Sequence, residues 1–179
     1  DILRLRRLVD DLGTLAEADA ALAGANIAVE RCDLTAIAVS AADALRPLAE
    51  ANHQQVNLHL EPAIIDGDPT RLAQIVTNLL TNAIKFTPTA GTIDLAVRED
   101  PAQRHAALTV SDNGPGIPIG DRPHVFERFY RSDSARPVAG SGIGLAVVAQ
   151  LVKAHGGTVD LAESTVGTTI TVTFPMLPG

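Results

Sequence analysis

The stretch DPTRLAQIVTNLLTNAIKF, from Asp68 to Phe86, constrains this chain more than any other segment. Asp68 suits the cap of a helix and Pro69 its first position. Leu72, Ile75, Val76, Leu79, Leu80, Ala83 and Ile84 recur at about 100° per residue and so share one face, which must lie on a core. Arg71, Gln74, Asn78, Asn82 and Lys85 share the opposite face. Asparagine is a poor helix former because its amide competes for backbone hydrogen bonds. Here two sit one turn apart, beside one of only two lysines in the chain. A solvated surface explains any one of these residues, but explains the trio less well. An amide oxygen can ligate a hard cation such as magnesium, and a lysine one turn on can neutralise a phosphate.

The other elements place this helix in a single domain. With 179 residues, 46% of them hydrophobic, the chain can fill one core and carry an appended helix, and no run is long enough to span a membrane. A net charge of −7 opposes non-specific nucleic-acid binding, so any phosphate site must be built locally. Cys32 is the sole cysteine, which excludes an intrachain disulfide or a cysteine zinc site and fits a reducing compartment.

Residues 1–20 read as a helix whose Ile2, Leu5, Val9, Leu12 and Ala16 form a short heptad seam. It could lie on its own domain or pair with another chain. A chain opening inside a helical pattern is expected to be part of a longer protein. A linker, AGANIAVER, leads to a helix capped by Asp33 and running to about Asn52 through Pro47. Strands are expected at QQVNLHLE, at TIDLAVRED and HAALTVSD joined as a hairpin through PAQR, and at TVDLAES and TTITVTF flanking a turn at Val166 and Gly167. HVFERFYR reads as a short helix, and SGIGLAVVAQLVKAHGG as a helix entered and left through glycines. His155 and Lys153 then read as cations at that helix's C-terminus. Strands and helices that mix without strict alternation imply one mixed sheet covered by helices on one face.

Three further segments could carry chemistry. In SDNGPGIP a strand ends at Asp112 and runs into Gly114 and Gly116. That is good turn chemistry, and also a place where a carboxylate could accept from an exocyclic amine such as adenine's. GSGIGL, from Gly140 to Leu145, has neither dinucleotide-fold nor P-loop spacing. Its glycines at a helix N-terminus, which carries roughly +0.5 charge, still favour an anion. FERFYR places Phe126, Phe129 and Tyr130, three of the five aromatics, between Pro/Gly-rich stretches. It reads either as a satellite core or as a mobile lid, about 117 to 139, whose Arg128 and Arg131 reach phosphates.

In this order and spacing, the four segments resemble the catalytic ATP-binding domain of sensor histidine kinases, within the ATPase group of gyrase B, MutL and the large heat-shock chaperone. NLLTNAIKF is similar to the family's asparagine box, DNGPGIP to its first glycine box, FERFYR to its phenylalanine box and GSGIGL to its second glycine box. VGTTITVTFP resembles its closing segment but keeps only the later glycine and threonine.

The resemblance implies a Bergerat-type two-layer α/β sandwich over 33–179 with a largely antiparallel mixed sheet. It also implies a linker at 24–32, and in 1–23 the second helix of a dimerisation bundle. It implies ATP and Mg2+ as cofactors, with Asn82 ligating the metal. Asn78 would stand where gyrase-like relatives carry a water-activating glutamate, a role no amide can fill. Lys85 would contact phosphate oxygens and Phe86 the adenine or ribose. Asp112 would read the adenine amine with Thr168, while Gly114 and Gly116 make room for the base and Ile117 joins the ATP-binding residues. Gly140, Ser141, Gly142, Ile143, Gly144 and Leu145 would shape the phosphate end, and Arg131 and Arg128 would act from the lid.

The resemblance further implies a homodimer through the first helix and a response-regulator receiver domain as partner. It implies a cytoplasmic domain without membrane contact of its own, in a protein anchored in the cell membrane. The family's acceptor histidine precedes an acidic residue, and none of His53, His59, His105, His124 or His155 does. The acceptor is therefore expected upstream of Asp1. Two other readings are an anti-sigma-type serine kinase, against which the first helix and Asn78 argue, and a nucleotide-sensing dimerisation module without transfer chemistry, against which the intact Asn82, Lys85 and glycine boxes argue.

Overall fold

A computed structural model describes residues 27–133, 140–162, 164 and 166–176, preceded by Ile2, Val9, Leu12, Gly13, Ala16 and Asp19. Most of the expected first helix, Leu5 included, lies outside the described residues, as does 134–139 of the expected lid. The six described positions of the first segment are helical and exposed.

The helix from Asp68 forms as its pattern dictates. In α2, Pro69–Phe86, Asp68 accepts from the N–H groups of Thr70 and Arg71 at 3.0 and 3.2 Å, and the seven residues of the apolar face are the seven buried ones. The helix stops at Thr87, where the following Pro88 disfavours further helical backbone. It is flanked by α1, Leu34–Ala51, and α3, Gly144–Ala154. Asp33 caps α1 by accepting from Ala36 N–H at 3.0 Å, and the helix continues through Pro47.

The three helices cover one face of a five-stranded sheet. Its strands are β2 Gln55–Leu60, β4 Thr92–Asp100, β5 His105–Asp112, β6 Thr158–Leu161 and β7 Thr168–Pro175, in the order β2-β4-β5-β7-β6. The β2–β4 pair is parallel and the other three pairs are antiparallel. Alternate residues, Ile93, Leu95 and Val97, Ala106, Leu108 and Val110, Ile170, Val172 and Phe174, point into the helices and are buried. This is the expected two-layer α/β fold. The β4–β5 hairpin turns at PAQR, as expected, and its register brings Ile93 opposite Asp112.

Three local expectations need correcting. The segment expected as linker, 24–32, runs into β1, Glu30–Asp33, paired antiparallel with β3, Ile64–Gly67, as a separate two-stranded sheet. HVFERFYR is not an α-helix; a 3₁₀ turn at Arg122–His124 leads into turns. Phe129 there takes the left-handed φ of 62° and donates its N–H to Gly142 O at 3.0 Å, which ends any helical ladder. His155 is not a helix-terminal cation. Its Nε2 accepts from Asp68 N–H at 3.1 Å and its Nδ1–H donates to Leu151 O at 2.7 Å, the pattern of a neutral ring. It thereby ties the end of α3 to the start of α2.

Leu80 is 1% exposed at the centre of this packing. Leu80→Ala is expected to cost about 2–5 kcal/mol of unfolding free energy, to be read from the shift of the urea midpoint at constant m-value.

Candidate functional site

Because α2 buries one face on the sheet, its polar stripe is left where the Gly140 loop and the end of β5 converge. Asn78 and Asn82 are half-buried and Lys85 is exposed. At the N-terminal end of the stripe, Asn78 Nδ2 donates to Gly144 O at 3.3 Å, joining α2 to the first residue of α3. One turn beyond Asn82, a side chain added at Gly140 would come within 3.5 Å of Lys85 Nζ, so the ammonium stands beside the glycine loop. Space around Gly144 is open. The lysine charge, the first amides of α3 and this clearance together can receive an anion.

The other end of α2 abuts the end of β5. A Cβ on Gly114 would meet Phe86 O at 2.7 Å and Asp112 Oδ1 at 2.9 Å. Glycine is therefore required there for Phe86, half-buried, to pass close to Asp112. Asp112 Oδ1 accepts from the N–H groups of Gly114 at 2.9 Å and Thr168 at 3.3 Å. Removal from water pushes the carboxyl above its ordinary value, and these two hydrogen bonds pull it back only in part. A half-buried carboxylate held by backbone donors at one oxygen can accept from a ligand amine at the other. Gly167, at φ 68°, donates its N–H to Gly114 O at 3.0 Å and packs on the Asp112 backbone, which fixes Thr168 beside that carboxyl.

The remaining expected site residues divide. Gly116, at φ 77°, lies against Gly167, and Ile117, half-buried, accepts from Arg122 Nε at 3.1 Å. Gly142, at φ 75°, lies against the backbone of Phe129 and Tyr130, so the glycine loop and the FERFYR segment are in direct contact. Ser141 is half-buried beside it. Ile143 is buried in the core and Leu145 packs against that core, so both can offer the site only backbone groups. Arg131 is half-buried and engaged within the fold. Arg128 is turned elsewhere: its guanidinium meets Asp19 and Gln150.

Sequence patterns miss the anchor of this segment. Asp121 accepts from both Tyr130 Oη and Ser132 Oγ. Those bonds, the one from Ser132 foremost, hold its carboxyl below the ordinary value, and Asp121 in turn pushes Tyr130 up to about 12. An aspartate followed by Arg-Pro reads only as turn chemistry, and nothing in the spacing marks its partners nine and eleven residues away. The role of Asn113 is equally silent in the sequence; its Oδ1 accepts from Thr92 N–H at 2.9 Å and holds the start of β4 against the end of β5.

Among the described residues no three His, Cys, Asp or Glu side chains gather to hold a metal unaided. A magnesium ion bound through one or two protein oxygens plus phosphate oxygens needs no such cluster. The amide pair beside the open glycine loop fits that mode.

A two-layer sandwich with an amide-bearing helix between a glycine loop and a strand-end aspartate defines a nucleotide-binding ATPase domain. Residues 67–178 match the family model for histidine kinase-, DNA gyrase B- and HSP90-like ATPases, and the chain belongs to that family. It is 43% identical over 175 residues to the probable sensor histidine kinase TcrY of Mycobacterium tuberculosis, covering 97% of this chain and 36% of that protein. A solved mycobacterial sensor histidine kinase, MprB, superimposes with a TM-score of 0.73 at 33% identity, covering 84% of this chain and 99% of the other. Full-length ShkA in complex with AMPPNP gives 0.84 at 28% identity, over 98% of this chain and 36% of that one. Within the family, this chain is a catalytic ATP-binding domain of the histidine-kinase type, spanning about a third of the curated relatives it matches. No helix among the described residues is long and apolar enough to cross a membrane.

Two consequences can be measured. A carboxyl whose folded value is raised is less costly protonated, so Asp112 lowers stability progressively as pH rises from about its ordinary value of 3.8 through the folded value. Asp112→Asn should therefore equal the wild type in stability at acid pH and exceed it at neutral pH, as read by chemical denaturation at each pH. Gly144→Ala meets open space at a helix start. It should leave stability unchanged or raise it by up to about 1 kcal/mol, while weakening nucleotide binding in a calorimetric titration.

Proposed function

We propose that this chain is the ATP-binding catalytic domain of a two-component sensor histidine kinase, acting on a histidine in an upstream helix of the same protein or of its dimer partner. One observation carries this reading: the stripe of α2 meets the Gly140–Gly144 loop at Asn78 and Lys85 and meets the Asp112 strand end at Phe86. A nucleotide with its base at Asp112 would extend its phosphates along α2 toward the glycine loop.

In this reading Asp112 accepts from the adenine amine, with Thr168 beside it and Phe86 and Ile117 lining the base. Asn82 and Asn78 present amides at the phosphates, Lys85 offsets their charge, and the backbone of residues 140–145 supplies N–H donors. Arg131 approaches from the FERFYR side. Magnesium would be held by Asn82 and phosphate oxygens, and when bound it neutralises charge on the leaving diphosphate. Transfer forms an N–P bond at the imidazole and breaks the bond between the γ-phosphorus and the bridging oxygen of ADP; the imidazole proton is released. Little covalent chemistry is asked of the protein, so positioning and charge neutralisation suffice.

An amide at position 78 suits this outcome, because it cannot deprotonate water. The phosphohistidine would then serve an aspartate on a response-regulator receiver domain. The first helix would pair two copies, and the domain would work on the cytoplasmic side of a membrane-anchored protein. The AMPPNP bound to the ShkA neighbour supports ATP as the nucleotide.

Asn82→Ala should weaken Mg–ATP binding roughly 10- to 100-fold, as expected for a lost charge-assisted contact, and leave adenosine binding nearly unchanged. Equal losses for the two ligands would refute the metal role. With an upstream histidine-bearing helix restored and labelled ATP supplied, acid-labile, alkali-stable label on histidine is expected; label on serine or none at all would refute the transfer chemistry.

A further inference from the structure

Arg128 is expected among the phosphate-binding groups, and the structure points it at something else. Its Nη2 lies 2.5 Å from Asp19 Oδ1, on the helix that precedes the domain. With the Gln150 amide oxygen turned toward it, that oxygen accepts from Arg128 Nη2 at 2.8 Å and Nε at 3.0 Å. One guanidinium thus spans three parts of the chain: the leading helix, the FERFYR segment and the outer face of α3. Its planar fork suits a carboxylate and an amide at once, which a lysine could not match. The arginine side chain is 34% exposed and the aspartate 52% exposed, so Arg128 is the more enclosed member.

The next residue carries the contact inward. Phe129 donates its N–H to Gly142 O at 3.0 Å from a left-handed backbone, and Gly142 lies between Gly140, beside Lys85, and Gly144, bonded to Asn78. Asp19 is therefore three contacts from the phosphate end of the site. At described helical positions earlier in the chain, Ile2, Val9 and Leu12 are 83%, 63% and 58% exposed, while Asp19 meets the domain.

We propose that Arg128 is a positioning residue that reads the place of the leading helix through Asp19 and fixes the glycine loop accordingly, and that it is not a phosphate ligand. This rests on the reading of 1–23 as the end of a dimerisation helix, but its test does not depend on catalysis. When the helix shifts relative to the domain, the ion pair opens, Arg128 keeps only Gln150, and the Phe129–Gly142 link loosens.

The experiment is a double-mutant cycle on the full chain, read by amide hydrogen exchange over 117–133 and 140–145. Asp19→Asn and Arg128→Gln should each speed exchange by about two- to fivefold, the range of a partly exposed ion pair. The double variant should be no faster than Arg128→Gln alone, which already loses both Asp19 and Gln150. The charge-reversed pair, Asp19→Arg with Arg128→Asp, should restore slow exchange. Raising salt from about 0.05 to about 0.5 M should shrink the single-variant effects, since the screening length falls from more than about 10 Å to less. Unchanged exchange in Asp19→Asn, additive effects, or no recovery in the reversed pair would overturn the proposal. Asp19 is exposed, so its variant keeps the test valid even if Arg128→Gln perturbs folding. Mg–ATP binding by the wild type is measured alongside; its absence would sink the proposed function without altering what the cycle says of Arg128 and Asp19.

Discussion

The burial of one face of α2 against the sheet is the interaction from which the rest of the molecule follows. Seven apolar side chains commit the helix to a single rotation about its axis. That rotation leaves Asn78, Asn82 and Lys85 facing away from the sheet, between α3's first turn and the end of β5. Rotating the helix by even a third of a turn would exchange amides for leucines at this gap. The apolar face thus fixes the polar one, and mutations that loosen the core act on the site without touching it. Asp68 and His155 reinforce the same placement, one capping α2 and the other bonding the cap's backbone to the end of α3.

Beside that helix the chain accepts the electrostatic cost of a half-buried carboxylate. Asp112 is half-buried, its carboxyl is raised by that burial, and two backbone donors support it. A structural role would be better served by asparagine, which accepts the same bonds without the desolvation of a charge. A carboxylate retained there makes sense if its free oxygen has a donor to meet in the bound state. Asp121, by contrast, is held low by two hydroxyls and fastens the FERFYR segment. The two aspartates differ because removal from water dominates at Asp112 and hydroxyl donors dominate at Asp121.

What can be read from sequence follows a physical divide between local and distant causes. The face of α2, its cap, the β4–β5 hairpin and the alternating strands are local periodicities, and all are legible. The four motif segments are legible as chemistry because their order and spacing resemble a family. β1 and β3 do not read as a pair, because each is four residues long and they lie more than thirty residues apart. FERFYR looks helical because nothing local records that Gly142 captures Phe129's N–H. His155 looks like a cation because its partner, Asp68 N–H, lies 87 residues away. Arg128 looks like a phosphate ligand by its neighbours in the segment, while its orientation is set by Asp19 and Gln150 on other helices.

The amide at position 78 shows how packing and chemistry can demand the same atom. Asn78 Nδ2 donates to Gly144 O, the carbonyl of the residue that opens α3. A glutamate, as the resemblance places there in gyrase-like relatives, has no donor when ionised and would set its charge against that carbonyl. In the proposed reading it would also put a general base beside the phosphates. The donor that seats α3 against α2 is thus also a group unable to activate water. In the same proposed reading a triphosphate lies along α2, and no base stands at that position to let water take its end. In the proposed transfer the phosphoryl group is kept for the histidine of the upstream helix, and Arg128 contacts the helical segment that leads into the domain.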